Sequence, residues 1–373
     1  MNAATAGDRA DFAQRSLTRH FGGLRPGSLR SSSPLRLRTL AAFDYWWLAH
    51  AVEARVDAFE RSGWPQWRSL AEQTYAGIRR RNRGSLFNDY FDDMGWLALA
   101  ALRLFDASGE RRYLRDAEAL FSHIVEHGFS TELGASIAWR TSQPSYKNAP
   151  TNGCFALVSA RLFERTGSPA HLAFARSSLA FLDERLLDPA TGLIVDGINR
   201  TGDGGRDDDW LFSYNQGLYV GAKLGAFDRT GDARHLDDAV RTATATIDRL
   251  APTGVFASEN VDHSQRGGGD VGLFKGIFYQ HLQALLGSAA ARATPSLLGQ
   301  RAHLEGFFVS STDDLWSTFA PSGLAADDWR TFASGPTALS TELSAVLALE
   351  ARARFEARAR FEARARFEAR ARF

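Results

Sequence analysis

One punctuation mark recurs along this chain. SGERRYL (108–114), TGSPAHL (166–172) and TGDARHL (230–236) each close a run that is apolar nearly all round with a small residue and a glycine, then open a run with charges along one side. Glycine just past a helix end supplies the left-handed turn that other residues resist, and a short turn sends the chain back beside the helix it left. A helix apolar on every side has to be buried among other helices, whereas one with a single apolar stripe lies outside. The repeat therefore dictates hairpins, each with an inner and an outer helix. Such hairpins cannot cover their inner faces alone, so they stack into an open solenoid or close on one another.

Twelve helices are predicted. They include 10–20, 38–61, 66–81, 92–107, 111–126, 148–165, 170–186, 211–229 and 233–249, and β-branched alternations are few. Six hairpins favour closure, so the expected fold is all-α, an (α/α)6 toroid with a funnel at one end of its inner ring. Asp92, Asp93, the Asn148 segment and the loop before Leu211 all sit at N-terminal ends of inner helices, and they should converge there.

The stretch FNDYFDDMGWLALA (87–100) carries the clearest chemistry. Asp92 and Asp93 open a buried helix, and both can lean over its end into a shared cavity, as a pair of glycosidase carboxylates must. The plainer alternative is a helix cap at Asp92 and a dipole partner at Asp93. Asn88, Tyr90, Phe91 and Trp96 crowd the same turn, and a polar pair ringed by aromatics is how a protein holds a sugar. A retaining glycosidase needs carboxyl groups about 5 to 5.5 Å apart, an inverting one a wider gap for water; neighbouring side chains favour the shorter separation.

Composition excludes several other classes. The net charge of +1 hides eight Arg against four Glu in the last 24 residues, so the body of the chain is mildly acidic and offers no face for nucleic acid. The lone Cys154 sits in an apolar helix as a core thiol and rules out a disulfide framework. The first residues contain no apolar signal core, and no later run is long and uncharged enough to span a bilayer, so a cytoplasmic protein is expected.

DYWWLAHAVEARVDAFERSG, FNDYFDDMGWLALAALRLFDASG, KNAPTNGCFALVSARLFERTG, SYNQGLYVGAKLGAFDRTGD and GLFKGIFYQHL follow one another in that order. Over roughly residues 44–285 the chain thereby resembles glycoside hydrolase family 76, endo-acting α-1,6-mannanases and related enzymes of bacteria and fungi. The resemblance implies an (α/α)6 barrel, a retaining mechanism, Asp92 as nucleophile and Asp93 as general acid/base. It implies an α-mannan or mannooligosaccharide substrate, no cofactor and no metal. Members often carry a polar residue where Leu48 stands, and most are secreted. Two other classes stay open: a sugar isomerase or epimerase on the same toroid, for which only His50 is placed, and a non-catalytic helical scaffold.

Further candidates for sugar contact are Trp46, Trp47 and His50, with a core role as the alternative. Asn148 and Asn152, four residues apart, could present amides to hydroxyls or serve as cap and turn. Tyr214, Asn215 and Gln216 lie in an otherwise apolar helix, where polar groups either satisfy one another or face a wet cavity; the cavity is the expectation. Lys275 reaches substrate or an acidic neighbour. Asp207, Asp208 and Asp209 are expected to face solvent, and the Gly-rich run 266–270 lacks the strand, Lys and Ser/Thr of a phosphate loop. Residues 1–349 are expected to form one domain. Residues 350–373, EARARF four times over, form a helical tail whose Phe355, Phe361, Phe367 and Phe373 make no single stripe, and which offers a surface for contact with a second copy.

Overall fold

The structure, a computed structural model, describes residues 4–36, 39, 42–256, 259 and 269–370. Its inner ring consists of α2 (Tyr45–Ser62), α4 (Phe91–Ser108), α6 (Ala149–Thr166), α8 (Ser213–Thr230), α10 (Val271–Gly287) and α12 (Leu339–Arg370). Each packs on the next, and α12 packs back on α2 to close the circle. Outside lie α3 (Pro65–Arg81), α5 (Arg111–Gly128), α7 (Pro169–Phe181), α9 (Ala233–Leu250) and α11 (Pro295–Phe319), each after its inner partner, while α1 (Ala6–Phe21) packs on α12. The toroid is thus closed by a sixth pair made from the two ends of the described chain.

The joints are tighter and more numerous than the three seen above. Helices α2, α4, α6 and α8 end in FERSG, FDASG, FERTG and FDRTG. Gly63, Gly109, Gly167 and Gly231 all take φ near +70°, and the N–H of each bonds to the carbonyl of Phe59, Phe105, Phe163 or Phe227. That left-handed cap is what the repeated glycine is for. Two other glycines let inner helices approach. A Cβ on Gly217 would stand 2.8 Å from the Cα of Phe278, and one on Gly276 would stand 2.6 Å from the Cα of Ser344.

Several boundaries moved for local reasons. Helix α1 begins at Ala6 because Thr5 and Asp8 form a reciprocal capping box. Helix α2 begins only at Tyr45: the preceding segment pairs β1 (Ser32–Ser33) with β6 (Thr337–Ala338), and Ser31 donates its hydroxyl to Asp44. The predicted start at Arg38 lies outside the described residues. The main departure from an all-helical reading is a small sheet of β2 (Phe129–Ser130), β3 (Ser136–Arg140), β4 (Gln143–Asn148) and β5 (Gly197–Ile198) between α5 and α8. Its central hairpin turns through Thr141 and Ser142, without the Asn-Gly or Asp-Gly that would have announced it.

Helix α12 runs without a break into the EARARF repeats, and the first repeat is core. Glu350 is fully buried and accepts from Arg61 (2.8 Å) and Gln14 (3.1 Å); Phe355 packs edge-on against Phe308. Phe361 is exposed. The side chains of Phe367 and Phe373, and residues 266–268 of the glycine run, fall outside the described residues. Among the described residues no helix is long and apolar enough to cross a membrane.

Candidate active site

Helix α4 starts with Phe91, and Tyr90 occupies the capping position without a side-chain bond, so Asp92 and Asp93 are its second and third residues and neither is the cap. The two carboxylates are held differently. Asp92 accepts at both oxygens, from the N–H of Asp93 (3.0 Å) and from the indole N–H of Trp139 (3.1 Å). Asp93 accepts at one oxygen from the amide of Asn88 (2.8 Å), and among the described residues no donor reaches the other. Burial pushes both carboxyls up, Asp92 to about 7 against the pull of its two donors. Asp93 lies well above its usual range, from burial first and then from the charge of Asp92 beside it. Asp93, with one oxygen open, is the member of the pair that can carry a proton without giving up a donor.

The pair opens into a cavity of about 770 Å³ at the N-terminal ends of the inner helices. One wall is aromatic: Trp46 of α2 faces Trp96 of α4, and Tyr214 of α8 stacks flat on Phe274 of α10, with ring centroids 3.8 Å apart. Here Asp270, just ahead of α10, takes both the Trp46 and Trp47 indole N–H groups on one oxygen (3.1 and 2.9 Å). Burial raises its pKa, and it stands as a third acid near the pair. The opposite side is polar. Arg200 lies 3.6 Å over the Trp210 ring and bonds Asp196 (2.7 Å), Asp207 (2.9 Å) and the Tyr146 hydroxyl (2.6 Å). Glu259 caps α8 from outside that helix, accepting from the N–H of Ser213 (2.7 Å) and from its hydroxyl.

Of the residues singled out from the sequence, Trp46, Tyr90, Trp96, Asn148 and Tyr214 line this cavity with Asp92 and Asp93. Asn148 is at the same time the cap of α6, accepting from Thr151 N–H (3.3 Å). The others stand behind the wall. Trp47 is buried against Asp270, and His50 lies 3.1 Å from Glu53 with its ring against Trp96. Asn88 orients Asp93, while Asn152 grips the N–H and C=O of Ile137 and so ties β3 to α6. The wet-cavity expectation holds for Tyr214 and not for its two neighbours. Asn215 donates to Asp196 (2.9 Å), and Gln216 makes a two-pronged bond to Ile194, accepting from its N–H (2.9 Å) and donating to its C=O (2.7 Å). Lys275 is buried under the Trp329 ring and donates to the carbonyl of Asp327, and burial lowers its pKa. Each of these groups sits in an apolar helix because a loop backbone or a buried acid needs it.

Gln216→Ala therefore strips two buried backbone groups of their partner. It is expected to cost roughly 1–3 kcal/mol of stability with little change in KM, checked by thermal melting beside kinetics. A fall in affinity with an unchanged melting point would return Gln216 to the cavity.

The acidic loop also divides: Asp208, beside Arg206, and Asp209, which also borders the cavity, are exposed, whereas Asp207 turns inward to Arg200. Sequence reasoning missed Trp139, Asp196, Arg200, Trp210 and Asp270. All are on strands or connectors, where no helical period points to the funnel. A tryptophan next to a charged residue, Trp139 before Arg140 and Trp210 after Asp209, was the available signal for two of them.

A closed six-hairpin helical toroid with paired carboxylates in an aromatic funnel has the geometry that glycoside hydrolysis uses. The chain belongs to Glycosyl hydrolase family 76, whose sequence profile matches residues 5–303. Among solved structures it is similar to a Listeria innocua protein, at 34% identity and a TM-score of 0.86, with 94% of this chain and 98% of that one covered. The α-1,6-mannanase of Salegentibacter sp. HEL1_6 is 31% identical with a TM-score of 0.85, covering 94% and 100% of the two chains. An inactive variant of that mannanase, with two adjacent aspartates changed to asparagine, is known in complex with α-1,6-mannotriose (30% identity, TM-score 0.85, coverage 94% and 100%). No curated protein matches the sequence.

Proposed function

We propose that this glycosidase hydrolyses α-1,6-linked mannosides with retention of configuration, with Asp92 as nucleophile and Asp93 as general acid/base. The observation that carries the assignment is the unequal hydrogen bonding of two neighbouring carboxylates at the floor of one cavity. Asp92, with donors on both oxygens, is suited to the anionic form that attacks the anomeric carbon. Asp93, with one oxygen open, is suited to hold the proton that the leaving oxygen takes. After the aglycone departs, Asp93 draws a proton from water, and that water releases the sugar from Asp92. The mannanase relative, inactivated by changing two adjacent aspartates, supports both the substrate class and the pair.

The substrate is tested by incubating the protein with linear α-1,6-mannan and following oligosaccharides by chromatography and the first-formed anomer by NMR. Mannooligosaccharides released as the α-anomer are expected. Initial release of the β-anomer would exclude a covalent intermediate, and no release would exclude the substrate. The pH dependence follows from the same pair. Activity requires Asp92 ionised and Asp93 protonated, and both affinities for protons are raised. A bell in kcat/KM is expected, with its acid limb well above the ordinary carboxylate value of about 4 and an alkaline limb that reports the pair's second proton. A profile half-maximal near pH 4 and flat to pH 9 would contradict it.

A further inference from the structure

We infer that Trp139 is the positioning residue for the nucleophile: its indole N–H, presented by a braced β-hairpin, keeps Asp92 the ionised member of the aspartate pair. This deepens the proposed function and rests on Asp92 being the nucleophile. Adjacent aspartates on one helical turn are chemically alike; within the helix the Asp93 N–H marks out Asp92, and the side-chain donor that adds to it comes from outside. Among the described residues Trp139 is the only side chain that donates to Asp92. Among the described residues the other titratable groups against the pair are Asp93 on the same helix, Asp270 before α10, Tyr214 on α8, Cys154 on α6 and Tyr45 on α2, and the shared cavity adds Asp44, Tyr90, Tyr146, Asp196, Arg200, Asp209 and Glu259. None of them bonds Asp92 through its side chain, and the acids among them favour its neutral form.

The hairpin is built to hold this indole still. Arg140 lies over the Trp139 ring at 4.5 Å and donates to the Tyr90 hydroxyl at 3.1 Å. At the turn, Thr141 bonds Asp89 through both its N–H (3.0 Å, to the carbonyl) and its hydroxyl, and Ser142 donates to the Asp89 carboxylate at 2.9 Å. Asn152 clamps the start of β3 from α6. The stretch 88–93 that carries the aspartates is thereby laced to the strand that carries the donor. A hydrogen bond to the charged form favours it, so loss of this donor shifts Asp92 toward the neutral acid and toward competition with Asp93 for one proton.

Trp139→Phe keeps an aromatic ring, smaller than the indole, and removes the N–H. The acid limb of kcat/KM should move up by about one pH unit. Turnover on an activated aryl α-mannoside should fall on the order of 10- to 100-fold, with KM changed by less than about threefold. An unmoved acid limb with the loss confined to KM would make Trp139 a sugar platform and overturn the inference. Asp89→Ala, outside the cavity lining, releases the turn and should shift the limb in the same direction by less. It decides the matter if the phenylalanine variant does not fold, and an unchanged profile overturns the bracing. Wild-type protein labelled with an activated fluorinated α-mannoside and mapped by peptide mass spectrometry tests Asp92 separately. Label on Asp92 with an unmoved limb in Trp139→Phe overturns the role of Trp139 alone, whereas label elsewhere overturns the nucleophile.

Discussion

Asp92→Asn is expected to lower turnover by on the order of 10⁴-fold or more, whatever the leaving group. The asparagine amide is nearly isosteric and its single oxygen keeps one of the two bonds, from Trp139 or from the Asp93 N–H, so the funnel keeps its shape and oligosaccharide binding survives. What is lost is the nucleophile: without a carboxylate no covalent glycosyl-enzyme forms, and improving the leaving group does not help. Isothermal titration with α-1,6-mannotriose beside kinetics on mannan and on a dinitrophenyl mannoside checks both halves. Substantial turnover of the dinitrophenyl substrate by a folded Asp92→Asn protein would refute the assignment.

Asp93→Ala should behave in the opposite way with respect to the leaving group. A natural mannoside needs its departing oxygen protonated, and its hydrolysis should fall by roughly 10²- to 10⁴-fold. A dinitrophenolate leaves without a proton, so the first step survives and the covalent intermediate accumulates, visible as a burst of phenolate. Water then attacks slowly because no base assists it, and azide, which needs none, should restore turnover and give the α-mannosyl azide. Leaving-group dependence at Asp92 and none at Asp93 would reverse the two roles. Removal of the Asp93 carboxyl also relieves the mutual repulsion of the pair, so Asp92 in this variant should titrate closer to an ordinary carboxyl.

The two variants separate the proposed mechanism from the other uses of such a toroid. An isomerase or epimerase built around His50 would be indifferent to leaving groups, and His50 lies behind Trp96, paired with Glu53, outside the cavity lining. A binding scaffold would gain stability from losing a buried acid and lose nothing else. In the toroid the paired carboxyls are costly at neutral pH, since burial opposes their charge.

The sequence by itself determined the hairpin toroid and the position of its aspartates, because both are local matters. A helix apolar all round has to be enclosed, a glycine after Phe105 or Phe163 ends it in a left-handed cap, and Asp92 and Asp93 stand on the first turn of such a helix wherever it is packed. The inner–outer alternation left a solenoid or a ring open, and the count of six hairpins favoured the ring. What the tertiary structure alone decided is which polar groups meet. Asn215 and Gln216 read as funnel groups, yet Asp196 and the Ile194 backbone, some twenty residues away, take their hydrogen bonds. The first EARARF repeat reads as tail, yet Glu350 meets Arg61 from the other end of the chain and helps close the ring. Trp139 was not singled out at all. Only the short sheet, which has no helical period to betray it, carries that indole to Asp92 and makes two adjacent, chemically identical side chains different.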